Sequence, residues 1–175
     1  MKKGGAFLLN PVEEGTIFTR DDLNEEQVAF AAAATDFFEN EVAAKHEAIE
    51  NQEEGVSVGL MKKAGELGLL MVEVPEIYGG LGMDKRTATV VTESATAQGS
   101  FAVSFMCHTG IGTMPIRYFG TEEQKKKYLP GLASGELMGA YALTEPGSGS
   151  DALAARTKAV LSCLLYTSDA ADDQA

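Results

Sequence analysis

The stretch from Phe101 to Met114, FAVSFMCHTGIGTM, is apolar on nearly every side. A helix of that kind has little polar face to offer water, so it belongs in the middle of a helix bundle. Local punctuation bounds it: Ser100 is the expected N-cap, Pro115 the expected kink and Gly120 the stop. The neighbouring segments supply covering helices. Asn24 is followed at three residues by Gln27, and Thr121 by Gln124, the spacing of a capping box. Behind Asn24, Val28, Ala31, Thr35, Phe38 and Val42 recur at steps of three and four, predicting an amphipathic helix to about residue 48. Ser57 to Leu67 predicts a second, with Leu60, Ala64 and Leu67 on one face and Gly68 ending it. Asp84 caps a third, which turns Thr87, Val90, Val91, Ser94 and Ala95 inward and runs to Gly99. A short helix from Thr121 to about Tyr128 precedes Pro130 and Gly131.

Between the second and third helices, residues 69–83 (LLMVEVPEIYGGLGM) are apolar, but Pro75, Gly79, Gly80 and Gly82 forbid a helix. Four regions follow: an extended lead-in over 1–23, a helical domain over 24–136, the start of a β-domain over 137–162, and an atypical tail over 163–175. Strands are expected at Leu137–Leu143 and Arg156–Leu161. The fold class is thus mainly α, with the first strands of a truncated β-barrel domain after the helices. The tail carries no Lys or Arg and three Asp, and it reads as a frayed terminus or as sequence foreign to the fold.

The net charge of −12, from 14 basic and 26 acidic residues, argues against nucleic acid or an anionic membrane surface as the main partner. Cys107 and Cys163 lie far apart without metal-ligand spacing, which fits a reducing compartment. No apolar run approaches the roughly 18 residues of a membrane span. Met1-Lys2-Lys3 starts like a signal peptide, but Gly4, Gly5 and Asn10 interrupt the apolar run that should follow. A cytoplasmic location is expected.

The chemistry concentrates at Tyr141-Ala142-Leu143-Thr144-Glu145-Pro146-Gly147-Ser148-Gly149-Ser150-Asp151. Glycines let backbone N–H groups come close to a ligand and serines add hydroxyls, a combination suited to anionic or carbonyl oxygens. Gly147 to Ala152 also fits G-x-G-x-x-A, with Asp169 twenty residues past Gly149. A dinucleotide-binding reading fails on context. Thr144-Glu145-Pro146 separates the glycines from their strand, and the preceding residues are helical where a βαβ unit should begin.

Two segments, Val74-Pro75-Glu76-Ile77-Tyr78-Gly79-Gly80-Leu81-Gly82 and Leu143 to Asp151, together resemble the paired signatures of the acyl-CoA dehydrogenase family. Between them, Gly120-Thr121-Glu122-Glu123-Gln124-Lys125-Lys126-Lys127-Tyr128-Leu129-Pro130, running on to Ser134-Gly135-Glu136, is similar to that family's bridge into its middle domain. Lys3 to Leu8 and Ile17-Phe18-Thr19 are similar to its longer-chain branch. The resemblance covers residues 3 to about 161.

The resemblance implies an N-terminal helical domain, a central β-barrel and a C-terminal four-helix bundle, of which this chain would hold the first and the opening of the second. It implies FAD as cofactor and acyl-CoA as substrate: a glutamate removes the pro-R α-proton while the β-hydride passes to flavin N5, giving a trans-2-enoyl-CoA. Electron-transferring flavoprotein would be the electron partner, and the full-length protein a homo-oligomer. Carried over by position, Tyr141, Leu143 and Thr144 would line the isoalloxazine ring, Gly149 and Ser150 would contact the cofactor, and Ser150 would also reach the acyl-CoA. Fixed N–H donors at the edge of the ring that gains negative charge on reduction would stabilise it.

Each of these residues has a plainer role open to it. Tyr141 and Leu143 can be barrel core, Thr144 can satisfy a turn, and Asp151 can cap the loop. Glu145 is set aside as the base, because in the family this glutamate is structural and the base comes from the C-terminal bundle. Glu76, Tyr78, Gly79, Gly80 and Gly82 would shape a loop near the acyl pocket, and His108 reads as a hydrogen-bonded core histidine. The chain contains no Trp, whereas the family's second flavin segment does. The expectation is a fragment without its base, inactive alone and a poor FAD binder. The alternatives are a short non-catalytic helical module that binds acyl-CoA or a partner chain, and an acyl-CoA oxidase, whose lengthened N-terminal segments are not seen.

Overall fold

The computed structural model describes residues 19–162 and 165–168, with side-chain environments through residue 158. The chain divides after Ala140 into two units, a helical one and a smaller one that begins at Tyr141.

Helix α1 (Glu25–Phe37) opens with the expected reciprocal cap: Gln27 N–H donates to Asn24 Oδ1 at 2.8 Å and Asn24 N–H to Gln27 Oε1 at 3.0 Å. It does not stop where its α geometry ends. A wide π-helical turn (Phe38–Val42) and a tight 3₁₀ turn (Ala43–Lys45) lead into α2 (His46–Glu50). The buried side chains of this rod are Gln27, Ala34, Phe37, Phe38, Val42 and Ile49. The expected stripe is therefore displaced at its start. Val28 is 52% exposed, and Thr35 sits at the edge with its hydroxyl 2.9 Å from that of Ser94.

Helix α3 (Val56–Glu66) buries Leu60 and Ala64 but leaves Leu67, just past its end, half exposed. Residues 69–83 then double back on themselves. Leu81 N–H bonds Met71 O, Gly82 N–H bonds Val74 O and Met83 N–H bonds Val72 O, at 2.8–3.0 Å. That approach requires glycine at position 80, where a Cβ would lie 1.9 Å from the Val74 carbonyl oxygen.

Helix α4 (Lys85–Ser94) is capped by Asp84, as its sequence predicts, and a 3₁₀ turn (Ala95–Ala97) takes it to α5 (Gly99–Cys107). The cap of α5 is Gln98 and not Ser100. Gln98 Oε1 accepts the Phe101 N–H at 2.5 Å, while Gln98 Nε2 and Ser100 Oγ both donate to Glu50 Oε1 at 2.7 Å. The longer amide reaches back over the first turn because Glu50, at the end of α2, holds its far end.

A second π-helical turn (His108–Gly112) follows α5, and Pro115 sits in the first turn of α6 (Met114–Phe119), where its missing N–H costs no helical bond. The sequence predicts a helix covered on every side here, but the structure covers one side of it. Phe101, Ala102, Phe105 and His108 are buried, whereas Val103, Met106 and Ile111 are 58%, 41% and 49% exposed.

Helix α7 (Glu122–Ser134) has its capping box but runs through Pro130, six residues beyond the predicted end at Tyr128. Proline removes one helical hydrogen bond. Burial of Leu129, Leu132 and Ala133 against Val74 and Tyr78 offsets that loss. Tyr78 ties its loop to the first turn of α7 by donating to Glu122 Oε2 at 2.6 Å.

The larger core gathers α1, α3, α4 and α5 around four phenylalanines. The Phe38 ring meets Phe37 and Phe105 edge-on at 5.2 Å between centroids and lies 6.1 Å from Phe101. Edge-to-face pairs of this kind add about 0.5–1.5 kcal/mol each to the burial of their area.

The first strands of a β-barrel are not seen. Residues 137–143 have no ladder, because no strand among the described residues pairs with them. The strand expected at Arg156–Leu161 is replaced by a short β1 (Ala159–Ser162) paired antiparallel with β2 (Leu165–Ser168), which belongs to the atypical tail. This isolated hairpin is the only ladder of named strands among the described residues. The lead-in up to Phe18, together with Cys163 and Asp169, lies outside the described residues.

Candidate functional site

The exit from the helical unit is built around His108, which is 1% exposed. Its Nε2 lies 2.9 Å from the Leu132 carbonyl, which can only accept. Its Nδ1 accepts the Gly139 N–H at 3.0 Å. The ring is therefore neutral with its proton on Nε2, and burial lowers its pKa below the ordinary histidine value. Both nitrogens are spent on positioning the chain, in agreement with the core reading.

Backbone contact continues the same clamp. Leu137 N–H donates to Gly131 O at 2.9 Å, and a Cβ on Gly112 would stand 2.7 Å from the Gly139 carbonyl carbon. Gly139 is thus fixed against the π turn, with Met138 and Ala140 on either side of it. Beside them lies an apolar cavity of about 350 Å³, lined among others by Val58, Met61, Val103, Ser104 and Cys107. Glu76, Tyr78, Gly79, Gly80 and Gly82 do not line it; they fold the 69–83 loop against α7.

In the second unit, Tyr141, Leu143, Thr144, Gly149 and Ser150 are all exposed. Tyr141 is 53% and Leu143 40% exposed, so neither is core among the described residues. The backbone N–H and C=O groups of residues 141–144 make no hydrogen bond among the described residues. They form a short exposed strip of backbone outside any helix or strand.

Past the strip the chain closes into a ring. Glu145 and Ser148 exchange backbone hydrogen bonds at 2.9 and 3.1 Å, forming a tight turn over Pro146 and Gly147. Ser148 is buried and donates from Oγ to the Asp151 carbonyl at 2.7 Å. The Glu145 carboxylate accepts the N–H groups of Arg156 and Thr157 at 2.7 and 2.9 Å. Those N–H groups hold it below the usual glutamate pKa. A carboxylate so occupied ties the loop to residues 156 and 157.

A single 3₁₀ turn (Ala152–Ala154) follows the glycines, where a dinucleotide-binding loop would open a full helix. Neither Gly147 nor Gly149 is needed by the loop itself, because a Cβ on either meets nothing within 4 Å. Among the described residues that side of the ring is open. Sequence reasoning missed the Glu145 tie, the His108 clamp and the cavity, since all three join residues far apart in the chain. No group of three or more His, Cys, Asp or Glu among the described residues could hold a metal ion. No helix among them is long and apolar enough to cross a membrane.

Comparison with known proteins bears directly on these features. The family model described as "Acyl-CoA dehydrogenase, N-terminal domain" matches residues 24–136. A probable acyl-CoA dehydrogenase of Bacillus subtilis is 53% identical over 161 residues, which are 92% of this chain and 27% of that protein. The structure resembles an acyl-CoA dehydrogenase from Bacillus anthracis solved in complex with FAD, with a TM-score of 0.87 and 49% identity. That match covers 95% of this chain and 29% of the other. An electron transferring flavoprotein structure from Acidaminococcus fermentans matches with a TM-score of 0.71 and 31% identity, over 86% of this chain and 40% of the other. The chain thus spans well under half the length of these relatives.

Proposed function

We propose, for a chain that belongs to the acyl-CoA dehydrogenase family, that it supplies one wall of a site where an acyl-CoA thioester is desaturated between its α and β carbons. The observation that carries this reading is the strip at Tyr141–Thr144, whose backbone groups have no partners among the described residues, following in sequence the apolar cavity at Met138–Ala140.

These residues fit FAD. The strip offers N–H donors without a partner among the described residues, the exposed faces of Tyr141 and Leu143 suit a planar ring, and the open side of Gly147 and Gly149 admits close approach. When bound, FAD supplies the acceptor for the hydride that leaves the acyl β-carbon. The chain's own residues hold and orient. Tyr141 and Leu143 cover the ring, and Thr144 donates to its polar edge. Gly149 and Ser150 meet the cofactor, with Ser150 also reaching the thioester.

A glutamate outside the matched stretch takes the α-proton in this reading, which the commitment of Glu145 to Arg156 and Thr157 supports. Electron-transferring flavoprotein is the proposed electron partner of the whole protein, itself a homo-oligomer. The 175-residue chain alone is expected to be inactive and to bind FAD poorly.

A chimaera tests this. The 161-residue matched stretch of the Bacillus subtilis relative is replaced by that of this chain. The product should purify with near-stoichiometric flavin and lose its flavin absorbance on addition of acyl-CoA, and Thr144→Ala should weaken flavin retention. A folded chimaera that holds no flavin would overturn the reading.

A further inference from the structure

Helix α5 has a cavity on each side. The one beside Val103 and Cys107 is the cavity next to His108 and Gly139 described above. The other, of about 250 Å³, is lined by Phe105 and Met106 of α5 and Thr109 of the π turn that follows it, and otherwise by Leu69, Val91 and Met114 among others. Its two lining threonines have turned their hydroxyls away from it. Thr92 Oγ1 donates to Ala88 O at 2.8 Å and Thr109 Oγ1 to Phe105 O at 2.9 Å. The wall is therefore apolar except at Glu73. A cavity of about 150 Å³ lined by aliphatic and aromatic groups binds benzene, so one of about 250 Å³ has room for roughly eight to ten carbons.

Over Glu73, Ala88, Thr92 and Met106 the cavity is continuous with a wider groove that adds Lys85, Thr89, Glu93 and Thr96. Glu73 is bridged by Lys85 at 2.7 Å and Arg117 at 3.3 Å, and Glu93 by Arg20 at 2.5 Å. The ionisable groups that line the groove are Glu73, Glu93 and Lys85, and Arg117 and Arg20, from outside that lining, each bridge one of the two carboxylates. Lys85 is 68% exposed, so its ammonium can turn to a ligand.

The geometry points to a second, separate site on this face of α5 for a medium-chain carboxylate, with the tail in the cavity between α4 and α5 and the head beside Lys85. The ligand is an amphipathic anion of about ten carbons, and the site does not depend on the catalytic reading above.

Four methionines report on the question, because Met106 and Met114 line this cavity while Met61 and Met138 line the other. The 175-residue chain, labelled at its methionine methyls, is titrated with decanoate below its aggregation threshold. Contacts from the decanoate chain to the Met106 and Met114 methyls are expected, whether or not Met61 and Met138 also respond. Lys85→Met should weaken binding about two- to fivefold, the range of a single exposed charge contact, and decylammonium should bind more weakly than decanoate. Ala88→Leu, which fills the cavity, should abolish the Met106 and Met114 contacts. Decanoate contacts confined to Met61 and Met138, or none at saturating ligand, would overturn the proposal. The first of those results would leave the acyl-site reading intact.

Discussion

Gly112→Ala should destabilise the helical unit, whereas Gly110→Ala, two residues earlier on the same π turn, should not. At position 112 the new Cβ would lie 2.7 Å from the Gly139 carbonyl carbon and 3.0 Å from the Cys107 carbonyl oxygen. These are backbone atoms, with no flexible side chain to swing aside. Relief requires residues 138–140 to move off the turn, which stretches the 3.0 Å bond from Gly139 N–H to His108 Nδ1. Overpacking of this kind costs about 1–3 kcal/mol. Loss of the hydrogen bond adds about 1 kcal/mol. Against this, alanine gains up to about 1 kcal/mol over glycine within a helix. The expected net loss is about 1–3 kcal/mol. At position 110 a Cβ meets nothing within 4 Å, so only the helix gain remains, about 0.5–1 kcal/mol of stabilisation. Urea unfolding of both variants and the parent measures the difference, and the ¹⁵N shifts of the His108 ring report whether its tautomer survives. Equal stability of the two variants would refute the argument that backbone contact at Gly139 sets the exit of the chain.

The remaining predictions concern hydrogen-bonded groups. His108 is held below its ordinary pKa by burial, so its contribution to stability is fully present above the ordinary value of about 6.5. That contribution should fall away as pH drops towards the folded-state value, because the unfolded chain binds the proton first. Urea midpoints between pH 5 and 8 should slope in the parent, and more weakly in His108→Gln. Gln98→Ala should cost about 1–3 kcal/mol, since it strips the cap from the Phe101 N–H inside the protein. Ser100→Ala should cost less in the same chemical unfolding assay; a larger loss at Ser100 would restore it as the cap.

What could be read from the sequence was what short range decides. The caps at Asn24, Asp84 and Thr121 each act through a bond three residues long, and all three formed. Gln98 could not be found that way, because its amide caps α5 only while Glu50, 48 residues earlier, holds its other end. Pro130 signalled an end to α7, but the burial of Leu129 and Leu132 against the 69–83 loop outweighs one missing bond. The π turn at Phe38–Val42 widens the helix, so the even stripe drawn from Val28 to Val42 misplaces Val28. Composition marked α5 as covered all round, yet it leaves one face and two flanking cavities uncovered. At the candidate site, the 141–151 motif stood out by residue type alone. The strand expected before it needed a ladder partner, which no local pattern can supply. The Glu145 tie reaches 11 and 12 residues along the chain to groups that every residue except proline carries.

That tie has a consequence for how the ring can change over time. The carboxylate of residue 145 grips backbone and not side chains, so the far anchor accepts any amino acid with an N–H, and only proline at 156 or 157 would release it. The arc between bears little of the closure beyond the Ser148 turn, and Leu153 at its outer side is 98% exposed. Drift along that arc can alter what the ring touches while its span stays constant. One glutamate thus separates the shape of the loop from its vocabulary.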